Sequence, residues 1–140
     1  MNAVDTNVLI YAFNTDDRDK GPAAAALLDR LAEASGETVI LWQVLCEFTA
    51  FVAKARQRAA AGPEAFDYVH ALRQRFTLVS PGPAVADLAL SIHLRDQVSI
   101  WDSFLLAACV AAGVDRLYSE DVQSRPEIRG VRIVNPFAAA

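Results

Sequence analysis

Short apolar stretches alternate with longer amphipathic stretches along this chain, and this alternation limits the possible folds more than any other feature of the sequence. The apolar runs predict strands at 3–5, 38–41, 76–80, 116–119 and 131–134. The amphipathic stretches predict helices at 20–35, 42–58, 62–75, 81–94 and 99–112, with a helical turn at 6–13. Strands that alternate with helices form a parallel or mainly parallel sheet covered on both faces. The sequence therefore predicts an α/β fold, and 140 residues without a linker or repeat predict one domain over 1–140.

Composition excludes several classes of protein. Hydrophobic residues make up 54% and no apolar run approaches the ~18 residues of a membrane span, which predicts a folded protein outside the membrane. No basic region precedes the first apolar stretch, as it would in a signal peptide. Cys46 and Cys109 lie in apolar helical patterns without a CxxC motif, and we expect two buried, reduced thiols and a cytoplasmic protein. A net charge of −4 gives no general attraction to nucleic acid, but it permits an acidic metal site.

Two polar residues, Asp5 and Asn7, interrupt the apolar stretch MNAVDTNVLIYAF at 1–13. Burial of a carboxylate without a partner is costly. Asp5 ends the first predicted strand and precedes the helical turn, so it is either a helix N-cap or a functional acid. Asn7 would orient Asp5 or cap the same turn.

A third candidate, Glu47, lies in the predicted helix 42–58 with the apolar Val44 and Phe51 as helical neighbours. We expect it to border or enter the buried stripe, where a glutamate needs a cation or several hydrogen-bond donors. No cationic residue lies at the neighbouring helical positions. The alternative is a glutamate at the edge of the stripe that extends to water.

Two further candidates follow late in the chain. Asp102 begins the helix at 99–112, where Ser99 and Asp102 also match a capping box. Asp121 follows the strand at 116–119, and its neighbour Glu120 is an alternative for the same role. A simple turn or cap would also explain these acids.

Considered together, these acids indicate a metal site. The carboxyl ends of parallel strands form one edge of a sheet, so Asp5, Glu47, Asp102 and Asp121 would converge there. Carboxylates that lie close together raise one another's pKa unless a cation neutralises them. All-oxygen ligands favour Mg²⁺ or Mn²⁺, and such a site suits hydrolysis of a phosphodiester.

The stretches VDTNVLIYAF, IWDSFLLAA and LYSEDVQ, with a glutamate at position 47 between the first two, resemble the PIN domain. The length of the chain and its ending VRIVNPF are similar to those of VapC-like toxins of type II toxin–antitoxin modules. The resemblance covers essentially the whole chain. One departure is Trp101, which stands before Asp102 where the family often has a smaller or acidic residue, and it would alter the pocket rim or an RNA-stacking surface.

The resemblance implies an α/β/α sandwich with a mainly parallel central sheet and the activity of an Mg²⁺- or Mn²⁺-dependent endoribonuclease that leaves 5′-phosphate and 3′-hydroxyl ends. It implies that Asp5, Glu47, Asp102 and Asp121 form the catalytic and metal-binding set, with Asp5 and Asp102 as the best candidates for direct ligands. Asn7, Ser119 and Glu120 would support them. The implied partners are a structured RNA such as transfer or ribosomal RNA, a second copy in a homodimer, and a VapB-like antitoxin that brings a basic side chain to the acids.

Basic residues for RNA binding are few. Lys54, Arg56 and Arg58 end the helix at 42–58 and predict a weak phosphate-binding patch, although cations are common at helix ends for other reasons. Two other functions are alternatives. An aspartyl-phosphate protein needs a lysine late in the chain, and the lysines here are Lys20 and Lys54. A catalytically silent RNA- or protein-binding module of the same fold is the remaining alternative.

Overall fold

Six strands form the central sheet of the computed structural model, which describes residues 1–14, 16–34, 36–122 and 125–138. The strands are β1 (Asn2–Val4), β2 (Thr38–Leu41), β3 (Thr77–Val79), β4 (Arg116–Tyr118), β5 (Glu127–Ile128) and β6 (Val131–Val134). Their order across the sheet is β3-β2-β1-β4-β6-β5. All pairings are parallel except that of β5 with β6. The predicted α/β fold, a single domain with a mostly parallel central sheet, is confirmed.

Helices connect the strands and cover the sheet. They are α1 (Thr6–Phe13), α2 (Lys20–Glu33), α3 (Trp42–Ala59), α4 (Asp67–Arg75), α5 (Ala84–Asp96) and α6 (Ile100–Ala111). The predicted helix at 62–75 is divided, because Pro63–Phe66 form a 3₁₀ turn before α4. Every residue of β2 is buried, which shows that both faces of the sheet are covered at this strand. Within the described ranges, none of the helices has the length and apolarity that a bilayer span requires.

The short strand β5 was not predicted. It pairs antiparallel with β6 through Ile128 and Val131. The two residues between them, Arg129 and Gly130, have φ values of 52° and 82°, which suit the tight turns of β-hairpins. Two residues give no periodic pattern, so only Gly130 before the apolar β6 indicated the hairpin.

An aromatic cluster fills part of the core beside α3. The ring of Phe13 contacts those of Phe48, Phe51 and Tyr68 edge-on, with centroids 5.9, 6.1 and 5.5 Å away. Phe48 is fully buried. Edge-to-face packing of this kind adds to the stabilisation that comes from area burial. The cluster anchors α1 and α3, the two helices that begin at the carboxyl ends of β1 and β2.

The two cysteines occupy different environments. Cys109 is buried, but Cys46 is exposed, so the prediction of two buried thiols was wrong for Cys46. The buried residues of the first turns of α3 are Val44, Leu45 and Phe48, and Cys46 lies on the opposite side of the helix. Burial, with a smaller contribution from the charge of Asp5, raises the pKa of Cys109 to about 12.

This difference gives a first prediction. With Ellman's reagent at pH 8, we expect one thiol per native chain to react rapidly and the second to react after denaturation, because the reagent attacks thiolates. A Cys46→Ser variant should show no rapidly reacting thiol in the native state. Two rapid thiols in the native protein would contradict the burial of Cys109.

Candidate active site

The predicted acids lie at one edge of the sheet because of how the strands end. Asp5 follows β1, which lies between β2 and β4, and its backbone N–H donates to the Tyr118 carbonyl oxygen at 2.9 Å. β2 leads directly into α3, whose second turn carries Glu47. Asp102 lies in the first turn of α6, and Asp121 follows β4. Asp5 therefore stands at the centre of this edge.

Asp5 is the buried member of the set, with 8% of its surface exposed. Its Oδ1 accepts a hydrogen bond from the Thr6 backbone N–H at 2.7 Å, and its Oδ2 accepts one from the Ser119 hydroxyl at 2.7 Å. Burial raises the pKa of Asp5 above its ordinary value of 3.8. The two hydrogen bonds oppose this rise, and the nearby charges of Glu47 and Asp102 add to it. Asp5 is thus both the N-cap of α1 and a carboxylate close to other acids.

Asn7 and Ser119 connect Asp5 to the segment after β4. The Asn7 side-chain amide donates to Asp121 Oδ2 at 3.1 Å and to Asp5 Oδ2 at 3.4 Å, so it holds the two acids near each other. The fully buried Ser119 hydroxyl also accepts from the backbone N–H groups of Asp121 and Val122, at 3.1 and 3.2 Å. These contacts set the position of Asp121.

Glu47 is exposed, so it does not enter the buried stripe and corresponds to the alternative of a glutamate at the edge of the stripe that extends to water. Its carboxylate accepts hydrogen bonds from the Thr6 hydroxyl at 3.2 Å and from the Gln43 side-chain amide at 2.9 Å. The same Gln43 amide donates to the Trp101 carbonyl oxygen at 3.3 Å. Gln43 therefore joins the first turns of α3 and α6, one residue before Asp102.

Asp102 is half-buried in the first turn of α6. Its backbone N–H donates to the Ser99 hydroxyl at 3.4 Å, which confirms Ser99 as the N-cap. The cap uses the backbone of Asp102 and leaves its carboxylate near Asp5, whose pKa it raises.

The structure separates Glu120 from Asp121. Lys20 Nζ donates to Glu120 and, at 3.3 Å, to the Tyr11 hydroxyl, and it lies 5.0 Å from the centroid of the Tyr11 ring. The hydrogen bond from Lys20 lowers the pKa of Glu120. Glu120 is thus held by a cation of α2, whereas Asp121 is held beside Asp5 by Asn7. Of the two alternatives left open by the sequence, this geometry favours Asp121 as the fourth acid.

The donor chemistry at this edge fits a hard divalent cation, because every candidate ligand is a carboxylate and a cation would offset the charge repulsion at Asp5. Within residues 1–14, 16–34, 36–122 and 125–138, no three His, Cys, Asp or Glu side chains already stand in a metal-holding arrangement.

The predicted basic patch lies away from the acids. Helix α3 begins at their edge of the sheet, so Lys54 and Arg58 lie roughly two to three turns further along it, ~10–16 Å from Glu47. The Arg56 side chain donates to the Gly62 carbonyl oxygen at 3.2 Å and stacks near Phe66. A role for these residues in RNA binding stays a prediction.

Three residues of the site were missed by the sequence analysis. Gln43 carried a usable signal, because a residue four positions before Glu47 shares its helical face. Thr6 and Lys20 carried none, since their contacts with Glu47 and Glu120 span 41 and 100 positions.

Comparisons with known proteins agree with this architecture. The family model of the PIN domain matches residues 3–126. VapBC2 from Rickettsia felis, bound to a DNA fragment from its promoter, is similar in structure with a TM-score of 0.72 and 15% identity, over 96% of this chain and 97% of that one.

Two further solved structures are similar over most of their length. VapC20 of Mycobacterium tuberculosis, a sarcin–ricin loop cleaving toxin, has a TM-score of 0.64 and 20% identity over 94% of this chain and 99% of that one. FitAcB from Neisseria gonorrhoeae has a TM-score of 0.70 and 17% identity over 99% of this chain and 100% of that one. At such identities these likenesses show the fold alone. No curated protein sequence matches this chain.

Proposed function

Because this chain belongs to the PIN domain family, we propose that it is an Mg²⁺- or Mn²⁺-dependent endoribonuclease and the toxin of a type II toxin–antitoxin module. One observation carries the proposal. Asp5 is a buried carboxylate with the charges of Glu47 and Asp102 nearby, and together these features raise its pKa. A buried carboxylate with a raised pKa and other acids nearby, at the carboxyl edge of a parallel sheet, indicates a functional site.

In this proposal Asp5, Asp102 and Asp121 would hold the cation. When bound, the ion would supply Lewis-acid chemistry toward water and the phosphodiester. Glu47, which is exposed and oriented by Thr6 and Gln43, orients the attacking water and accepts its proton. No protein nucleophile is required.

The supporting residues act on the acids rather than on the RNA. Ser119 donates to Asp5 Oδ2, which orients this oxygen and opposes the rise in the pKa of Asp5 that burial causes. Asn7 contacts both Asp5 and Asp121 and keeps them at one place. Partners of this kind, which orient metal ligands, typically contribute about 10–100-fold to affinity or activity.

The proposed partners follow from the related structures. The R. felis structure contains a VapBC pair and the M. tuberculosis protein cleaves the sarcin–ricin loop. For this chain we propose a VapB-like antitoxin that brings a basic side chain to the acidic edge, a transfer or ribosomal RNA substrate, and a homodimer acting in the cytoplasm.

The proposal is tested by incubating purified, antitoxin-free protein with total RNA and either Mg²⁺ or Mn²⁺. We expect discrete cuts that disappear with EDTA and with the Asp5→Asn variant, because both remove the cation from the site. Sequencing of the new 5′ ends would identify the RNA and the cleavage position. Identical cutting by Asp5→Asn would point to a contaminating nuclease and contradict the proposal.

The catalytically silent module remains the alternative, and one observation favours it. The hydrogen bonds from Thr6 and Ser119 satisfy both oxygens of Asp5 without a metal. The same experiment distinguishes the two, since a silent module would bind RNA or protein and leave the RNA pool intact under every metal tested.

A further inference from the structure

A cleft of about 410 Å³ lies at the amino edge of the sheet, where β2 and β3 begin. The ends of α2 and α4 and the segments that lead from them into these strands form its walls. The acids lie beyond the opposite end of β2, and the four residues of that strand span roughly 13 Å. The cleft is therefore separate from the proposed active site, and its volume is in the range of small-ligand sites. Its polar lining side chains are those of Thr38, Arg73, Gln74, Arg75 and Thr77.

The hydroxyl of Thr38 lacks a partner inside the protein. Thr38 is the first residue of β2 and is only 3% exposed. Among the residues that the structure describes, its Oγ1 has no hydrogen-bond partner. A buried hydroxyl without a partner is destabilising, and the great majority of such groups in proteins are hydrogen-bonded. Because Thr38 lines the cleft, a molecule bound there would supply the missing hydrogen bond.

The cleft also carries positive charge. Arg73 and Arg75 lie in the last turn of α4, and the described lining residues include no aspartate or glutamate. Arg75 forms an ion pair with Asp29 at 2.7 Å and donates to the Leu28 carbonyl oxygen at 3.5 Å. Arg73 forms no ion pair within the described ranges. Cations are common at helix ends, but that preference does not explain the Thr38 hydroxyl beside them.

These donors match the chemistry of a phosphate group. A guanidinium presents N–H groups in a planar fork that fits phosphate oxygens, and hydroxyl and amide groups add neutral donors. We propose that the cleft binds a phosphate group, with Arg73 as its charged contact and the Thr38 hydroxyl as a neutral donor. A free nucleotide and an RNA backbone offer the same group, and the experiment below separates them. The inference does not depend on the proposed nuclease activity.

Calorimetric titration with adenosine 5′-monophosphate tests the inference, and adenosine serves as the probe that lacks the phosphate. The titration is made in EDTA, so that no cation at the acidic edge can bind the nucleotide. We expect saturable binding of the monophosphate and no binding of adenosine.

Two substitutions of arginine locate the site. Arg73→Gln removes the charge and keeps hydrogen-bond donors, and it should weaken binding of the monophosphate by about 10-fold, as loss of a hydrogen bond to a charged group does. Arg95→Gln is the matched control, because Arg95 is also an exposed arginine in the last turn of a helix, α5. It should bind the nucleotide like the wild type.

Thr38→Val tests the hydroxyl by two readouts that should move in opposite directions. Valine has a similar shape and suits a strand. Without ligand, the Tm of the variant should be higher than that of the wild type, because a buried hydroxyl without a partner is lost. Its affinity for the monophosphate should nevertheless be lower. A lower Tm would show that the hydroxyl has a partner within the protein and would contradict its assignment to a ligand.

The source of the phosphate is distinguished with an RNA oligonucleotide in the uncleaving Asp5→Asn background, again in EDTA. If Arg73→Gln weakens RNA binding and the monophosphate competes with the RNA, the cleft holds the RNA backbone. If the monophosphate binds but RNA affinity ignores Arg73→Gln, the ligand is a free nucleotide. Equal binding of adenosine and its monophosphate, or no effect of Arg73→Gln on either ligand, would overturn the inference and leave the nuclease proposal untouched.

Discussion

Replacement of Asp5 by asparagine is expected to reduce RNA cleavage by about 10³-fold or more while the protein stays folded. Loss of the central ligand removes several kcal/mol of charge stabilisation, and ~4 kcal/mol corresponds to about 10³-fold in rate. Asparagine has the shape of aspartate and can still accept the hydrogen bond from the Thr6 N–H. The effect should therefore lie in kcat and in metal binding rather than in folding.

Although Asp5→Asn should lose activity, its thermal stability relative to the wild type should increase as the pH rises. The pKa of Asp5 is raised in the folded protein above its ordinary value of 3.8, so the folded state holds that proton more tightly than the unfolded chain does. The stabilisation from this preference is complete below pH 3.8 and is lost as the pH rises through the raised pKa. Without metal, the Tm of Asp5→Asn relative to wild type should therefore increase between about pH 4 and pH 7.

Calorimetry over this pH range, with and without Mg²⁺, measures both effects. Added Mg²⁺ should raise the Tm of the wild type more than that of Asp5→Asn, because only the native site binds the ion. Asp87→Asn, an exposed aspartate in the first turn of α5, is the control and should follow the wild type. A Tm for Asp5→Asn that falls below wild type at pH 7 would mean that Asp5 is mainly a structural cap.

Asp121→Asn should lower cleavage by about 10²-fold, whereas Glu120→Gln should lower it by less than about 3-fold. Asp121 is held beside Asp5 through Asn7, so its charge belongs to the proposed metal site. Glu120 is bonded to Lys20, outside that group. A 10²-fold lower rate corresponds to an activation free energy that is roughly 2.7 kcal/mol higher. This is a modest increase for the loss of one of several carboxylate ligands.

Asp121→Asn and Glu120→Gln form a matched pair, since each removes one negative charge and the two residues are adjacent in the sequence. Cleavage rates at saturating Mg²⁺ and the Mg²⁺ concentration for half-maximal rate should both be measured. Asp121→Asn should require more Mg²⁺, and Glu120→Gln should not. The reverse order would make Glu120 the fourth acid and would require Lys20 to release it when metal binds.

Much of this architecture could be predicted from the sequence because its signals are local. Each strand except β5 and each helix has an apolar pattern of its own, and Asp5 and Asp121 could be placed at strand ends from that pattern alone. Errors arose where the pattern was too short or the helical face was ambiguous. β5 has two residues, and Cys46 lies on the exposed side of α3 although its neighbours in sequence are apolar.

The interior of the site could be predicted only in part. The sequence indicated which acids lie at this edge of the sheet, but the side chains that bind each acid depend on tertiary contacts. Lys20 had no feature that assigned it to Glu120, because α2 had to be placed against the loop after β4 first. The choice between Glu120 and Asp121 depended on this contact, since the two residues are adjacent and chemically alike.

The bond between Ser119 and Asp5 joins residues 114 positions apart, and it has a consequence for the synthesis of this protein. A ribosome produces Asp5 114 residues before Ser119, so Asp5 leaves the exit tunnel long before its hydroxyl partner does. Before β4 pairs with β1, the nascent chain already contains Asp5, Glu47 and Asp102, but the proposed site is not yet assembled. A chain whose translation stops before β4 would therefore lack Ser119 and Asp121 and could not assemble the proposed site.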